Sequence, residues 1–177
     1  MTVRDEVDSY FTELHAALMA VDRDAIEKMV DTVMNAYERG GTVYICGNGG
    51  SASTASHIVC DFNKGISLYQ ERKFRFVCLN DNVATMMAIS NDICYDDVFL
   101  VQAQGRVRPD DILIAISGSG NSKNIVRVVE YFRSLGNTVV GLSGYSGGKL
   151  DEMSDVSVHV PVNDMQKAED AHMSILH

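Results

Sequence analysis

Val43-Tyr44-Ile45-Cys46-Gly47-Asn48-Gly49-Gly50-Ser51, running on into Ala52-Ser53-Thr54-Ala55-Ser56-His57, is the stretch that decides the fold. Its first half is a short apolar run with β-branched residues, the pattern of a buried strand. Gly47, Gly49 and Gly50 then let the chain turn sharply with no Cβ in the way. Ser51 reads as the N-cap of a helix whose first N–H groups have no intrahelical partner. Strand, glycine turn and helix N-terminus together form an anion cradle, because free N–H groups and the helix dipole favour negative charge. His57 and Asp61, at i and i+4, share a helix face beside it.

Ahead of this stretch, residues 4–20 place Val7, Tyr10, Phe11, Leu14 and Leu18 at helical spacing. Ile26, Met29, Val30, Val33, Met34 and Tyr37 repeat the pattern after a Val21-Asp22-Arg23-Asp24 break and stop at Gly40-Gly41. Asp24 and Glu27 read as a capping box. Residues 1–40 are thus an N-terminal helical hairpin, whose apolar stripe either joins subunits or covers the sheet.

Behind it, residues 41–177 alternate strand and helix. Strands are expected at 42–46, 74–79, 111–116, 137–142 and 156–161, with helices near 51–63, 83–90, 95–104, 121–135 and 165–177. Continuous apolar strands separated by helices predict an α/β domain: a doubly wound, parallel five-stranded sheet with helices on both faces. Such sheets bind ligands at the carboxyl ends of their strands. The third strand ends in a second loop of the same kind, Ser117-Gly118-Ser119-Gly120-Asn121-Ser122, with a helix from Lys123. Neither loop has the G-x-x-x-x-G-K-[ST] of a nucleoside-triphosphate site. Gly47-x-Gly49-x-x-Ala52 fits a dinucleotide fingerprint loosely, but the second strand ends at Asn80-Asp81, too late to supply the ribose-binding acid.

The chain of 177 residues suffices for one domain, and 15 basic against 24 acidic residues leave a net charge of −9. That balance argues against nucleic acid or a membrane surface as partner, while a local cradle still admits an anionic small molecule. Cys46, Cys60, Cys78 and Cys94 form no CxxC or zinc-finger spacing, so buried, reduced thiols and a cytoplasmic location are expected. No apolar run long enough to cross a membrane and no signal peptide is read.

Gly47-Asn48-Gly49-Gly50-Ser51-Ala52 with His57, Ser90-Asn91-Asp92 and Ser117-Gly118-Ser119-Gly120-Asn121-Ser122 resemble the sugar isomerase (SIS) family, with its flavodoxin-like fold. Within it they look most similar to the phosphoheptose isomerases, over nearly the whole chain. The resemblance implies a single SIS domain over 1–177 and a homotetramer with a helical core and active sites between subunits. It implies isomerisation of sedoheptulose 7-phosphate to a heptose 7-phosphate, for bacterial cell-surface polysaccharide, with one zinc ion per subunit. By the same resemblance Gly49, Gly50, Ser51, Ser117, Gly118, Ser119 and Ser122 bind the phosphate, and Asn48 and Asp92 face the sugar hydroxyls. His57, Asp61, Glu169 and His177 fall at the metal and acid/base positions, Glu169 also facing substrate, with Asp61 and His177 as the catalytic pair. Three positions depart from the family's pattern: Gly118 stands where Thr is frequent, Asp61 replaces Glu, and Glu169 replaces Gln. Isomerases of other phosphorylated sugars, and SIS modules that bind a phosphosugar or a partner protein without catalysis, share much of this pattern.

Spacing supports part of the ligand set. His57 and Asp61 can hold one ion from one helix. Glu169 and His177 lie eight apart, about 12 Å of rise on an ideal helix. Either Glu169 precedes the helix proper or the two reach metals in different subunits, and His172, at i+3 from Glu169, competes as ligand. Because the chain stops at His177 in mid-helix, a further C-terminal turn is expected. His15 and His159 read as structural residues.

Overall fold

A computed structural model describes residues 2–177. Its five strands are β1 (Val43–Gly47), β2 (Phe76–Cys78), β3 (Ile112–Ser117), β4 (Val139–Ser143) and β5 (Val156–His159). They form one parallel sheet in the order β2-β1-β3-β4-β5. The chain leaves β1 to one side for β2 and then crosses back to β3 on the other. A switch point therefore opens between the carboxyl ends of β1 and β3, where the two glycine-serine loops emerge.

Side chains alternate across the sheet. Val43 and Ile45 of β1, with Ile112, Ile114 and Ile116 of β3, enter a core closed by α1 (Val3–Ala20), α2 (Arg23–Arg39), α3 (Gly50–Cys60) and α8 (Met165–Leu176). Tyr44, Cys46, Leu113 and Ala115 face the opposite core, under α4 (Val83–Asp92), α5 (Leu100–Ala103), α6 (Lys123–Ser134) and α7 (Gly148–Met153). Both faces are covered, which is why the strands read as unbroken apolar runs.

The N-terminal hairpin forms, its two helices docked on different partners. In α1, Tyr10 donates to Asp170 of α8 at 2.6 Å, while Glu13 meets Lys167 at 3.1 Å. Met29, Val33 and Ala36 of α2 are buried against the sheet. The capping box falls at Thr2 and Asp5 of α1, not at Asp24 and Glu27. Asp22 caps α2, its side chain accepting from the Asp24 amide, because the helix begins at Arg23, two residues earlier than a cap at Asp24 would set it. Gly40 ends α2 in the left-handed conformation, with φ 78°.

Four local expectations change. Helix 51–63 ends at Cys60 and widens into a π turn over Asp61–Gly65. That turn brings Asn63 onto edge strand β2, where its amide accepts from the Phe76 N–H (3.0 Å) and donates to the Phe76 carbonyl (2.8 Å). Satisfying an open sheet edge outweighs regular helix geometry there. Helix 95–104 is split into a 3-10 turn at Tyr95–Asp97 and α5, with Asp97 tied to Arg127 at 3.0 Å. Strand 74–79 shortens to Phe76–Cys78, and Phe74 instead stacks on Tyr37, ring centroids 4.2 Å apart. Finally, α7 forms between the strands expected at 137–142 and 156–161, where no helix is expected, Leu150 supplying the buried anchor.

Candidate active site

The loop after β1 forms its cradle differently in detail from the sequence expectation. Gly49 (φ 57°) is the N-cap, α3 starts at Gly50, and Ser51 lies inside the first turn, buried. Only glycine fits here: a Cβ on Gly47 would stand 2.6 Å from the Ser51 backbone, and one on Gly50 would overlap the Glu169 carboxylate. Asn80 secures the exit of β1, donating to the Gly47 carbonyl at 2.8 Å and accepting from its N–H at 3.2 Å.

The second loop follows β3. Ser117 donates to Ser122 (3.3 Å), and Ser119 accepts from the Asn121 N–H (3.2 Å). Gly120 (φ 64°) presses on the backbone of Gly147, whereas Gly118 has open space where a Cβ would be. The turn therefore depends on Gly120, and Gly118 is free to carry a side chain.

Between the loops lies a cavity of about 220 Å³. Asn48, Ser51, Ser117, Gly118, Ser119, Ser122 and Glu169 line it, with Ile116, Tyr145 and Met165. Asn48 is held by a reciprocal amide pair with Asn124, both bonds 2.9 Å, and by the Tyr95 hydroxyl at 2.7 Å. Asn124 and Tyr95 escaped sequence reading. The one available signal was a polar Asn on the apolar face of a strongly amphipathic helix, where it is buried. Asp92 sits exposed at the end of α4, accepting from Asn91 (2.8 Å), and does not line this cavity within the protomer.

About two turns along α3 is a second centre. His57, Asp61 and His177 each present one ligand atom, all within 4.8 Å of one another. The two Nε2 atoms are 2.7 Å apart, and the Asp61 Oδ2 lies 3.2 Å from His57 and 3.5 Å from His177. The π turn begins at Asp61, so the i,i+4 relation to His57 survives. All three side chains remain partly open to solvent.

Two imidazoles and a carboxylate are a donor set for a borderline divalent ion. Ligand atoms on a tetrahedral ion bound at about 2.0–2.2 Å lie about 3.3–3.6 Å apart, close to both carboxylate distances here, while the two imidazoles would have to part from 2.7 Å to receive it. Glu169 is separate from this trio, its carboxylate lying over Gly50 at the start of α3. His172 does not compete as a ligand: it is fully buried, its Nε2 donating to the Ser143 carbonyl at 3.0 Å. His159 contacts the Tyr145 carbonyl at 3.0 Å, and His15 is exposed on α1.

A model of the SIS domain matches residues 9–144, and the chain belongs to that family. Its similarity is to phosphoheptose isomerases: 36% identity to that of Mycobacterium bovis BCG over 154 residues, 87% of this chain and 78% of the relative. The Helicobacter pylori 26695 enzyme is 35% identical over 156 residues, 88% of this chain and 80% of its own. Among solved structures, the phosphoheptose isomerase from Francisella tularensis aligns with a TM-score of 0.93 at 30% identity, covering 100% of this chain and 95% of that one. The Neisseria gonorrhoeae enzyme aligns at 0.91 and 27% identity, covering 99% and 95%.

Proposed function

We propose that this chain is an aldose–ketose isomerase that converts sedoheptulose 7-phosphate to a heptose 7-phosphate. The observation carrying this reading is the spacing of two sites on one helix. The start of α3 helps build the anion cavity at the switch point, and its end presents His57 beside Asp61 and His177. A sugar phosphate anchored at one end and reacted at the other needs this separation. The named relatives support the substrate.

The reaction moves the carbonyl from C2 to C1. A base removes a proton from C1, the electrons pass into an enediol(ate), and a proton returns to carbon at C2 while a hydroxyl proton shifts from O1 to O2. Asp61 and His177 are the acid/base pair. Ser51, Ser117, Ser119 and Ser122 hold the phosphate, whose binding orients the distant carbon atoms. Gly49, Gly50 and Gly118 admit it closely, and Asn48 and Glu169 face the sugar. Zinc fits the His57, Asp61 and His177 donor set, without Glu169, and when bound would supply an electrophile that polarises the sugar oxygens.

The functional assembly in this reading is a homotetramer. Its support is apolar surface on the hairpin: Phe11 is 65% exposed, Met19 62% and Val30 52%. A cytoplasmic location accords with four unpaired thiols. No described helix is long and apolar enough to cross a membrane. Incubation with a panel of ketose phosphates, watched by NMR for aldose signals, tests the reaction. Turnover of the seven-carbon substrate is expected, and none with any ketose phosphate would refute it.

A further inference from the structure

One peptide group joins the two halves of the site. The carbonyl of Ser143, the last residue of β4, accepts from Nε2 of His172 on α8 at 3.0 Å. The N–H of the same peptide, on Gly144, donates to the Gly118 carbonyl in the second phosphate loop at 2.8 Å. Ser117 and Ser143 are opposed in the β3–β4 register, so this bond carries the ladder one step beyond the strands into the loop. Space around the bridge is tight: a Cβ on Gly144 would lie 2.9 Å from the Ala168 Cβ and 3.1 Å from the Gly118 oxygen.

His172 is an unusual residue for that place. It is wholly buried, and its Nδ1 meets no polar partner among the described residues. An apolar ring of similar volume would avoid an unsatisfied nitrogen. What the imidazole adds over such a ring is one donor, spent on the Ser143 carbonyl. Because a carbonyl only accepts, the proton must sit on Nε2. The helix bearing His172 also carries Glu169 and His177, three residues before it and five after.

We propose that His172 is a positioning residue: through the Ser143–Gly144 peptide it holds the helix bearing Glu169 and His177 in register with the phosphate loop at Gly118. The bond sets the rotation of α8 relative to the sheet, and the same peptide plane sets the height of the loop. Phosphate binding at one end is thereby mechanically joined to the acid/base helix at the other. This proposal rests on the isomerase reading for its catalytic consequence, but its binding consequence is independent of it.

The test compares the full chain with His172→Phe, which keeps the ring and removes the donor, and His172→Gln, which restores an amide donor. Two readouts are taken: the dissociation constant of inorganic phosphate, from thermal shifts, and kcat and KM on sedoheptulose 7-phosphate. His172→Phe is expected to weaken phosphate and to lower kcat, each by about tenfold or more, since a misplacement of about 1 Å is enough for such losses. His172→Gln is expected to recover much of both. A merely structural histidine would lower the melting temperature and leave the folded enzyme's kcat and phosphate affinity unchanged, which overturns the proposal. If His172→Phe does not fold, Gly144→Ala attacks the bridge from the other side, with the same paired loss expected and unchanged values decisive against it. A wild type that binds phosphate without isomerase activity refutes the isomerase reading alone, and the phosphate comparison still decides the bridge. A wild type that does not bind phosphate overturns the proposal.

Discussion

The Nε2 atoms of His57 and His177, 120 residues apart in the chain, stand 2.7 Å from each other with the Asp61 carboxylate against both. This contact makes a metal-binding reading testable. Zinc is expected to raise the melting temperature, a ligand at 100 times its dissociation constant adding about 2.7 kcal/mol. Dialysis against a chelator should abolish isomerase activity and zinc restore it. His57→Ala should lose the thermal shift and the activity, while His159→Ala should lose neither. Full activity in chelator, with no metal found by elemental analysis, would leave Asp61 and His177 as a metal-free pair.

Ser119 is exposed at the mouth of the cavity, and its truncation is expected to leave the fold intact because the turn depends on Gly120. Ser119→Ala is expected to weaken phosphate binding by about 1–3 kcal/mol through a lost hydrogen bond to a charged ligand. Titration calorimetry with inorganic phosphate measures it. Equal affinities in mutant and wild type would show that the second cradle is misassigned.

Two glycines of one loop should behave oppositely. Gly120→Ala meets both a φ of 64° and the Gly147 carbonyl, and is expected to destabilise the protein by several kcal/mol, or about 1–3 from strain alone. Gly118→Ala enters open space and should stay within about 0.5 kcal/mol of wild type. Urea unfolding of the two variants compares them directly.

Oligomer disruption should be sought at exposed positions of the hairpin. Leu14, an obvious choice from its helical spacing, packs against the core of its own protomer. Phe11 (65% exposed) and Met34 (41%) project outward instead. Phe11→Glu with Met34→Glu is expected to yield smaller species by sedimentation with the fold retained. A wild type that sediments as a monomer would remove the tetramer.

Burial holds the His172 imidazole below its ordinary pKa of 6.5. The folded protein therefore binds fewer protons than the unfolded chain below that value. The stability contributed by the neutral ring is present above pH 6.5 and falls as pH drops toward the folded pKa. His172→Phe should flatten that part of the stability profile, measured by urea unfolding between neutral and mildly acidic pH. An unchanged profile would show that other groups govern it.

Much of the fold was legible because its signals are local. The apolar runs of β1 and β3, the glycines that follow them and the amphipathic period of α6 all lie within a few residues. Each therefore dictates its own strand, turn or helix whatever surrounds it. The two serine-rich loops could be paired from sequence because a parallel sheet sends every loop after a strand to the same edge. The pairing of His57 with Asp61 was legible for the same reason, one helical turn separating them.

Distance along the chain hid the rest. No local pattern places His177 on His57, Tyr95 and Asn124 on Asn48, or Glu169 over Gly50. His172 and His177 look equivalent as histidines on one helix, yet one is buried on a backbone carbonyl and the other faces two potential ligands. Which face of α8 turns inward depends on its packing against the sheet, α1 and α3, through Ala168, Ala171, the His172 bond to Ser143 and the Lys167–Glu13 ion pair. Sequence determined the five strands, the N-terminal hairpin and both glycine-serine loops. Tertiary packing alone, by fixing the rotation of α8, decided which of its side chains meet at the site.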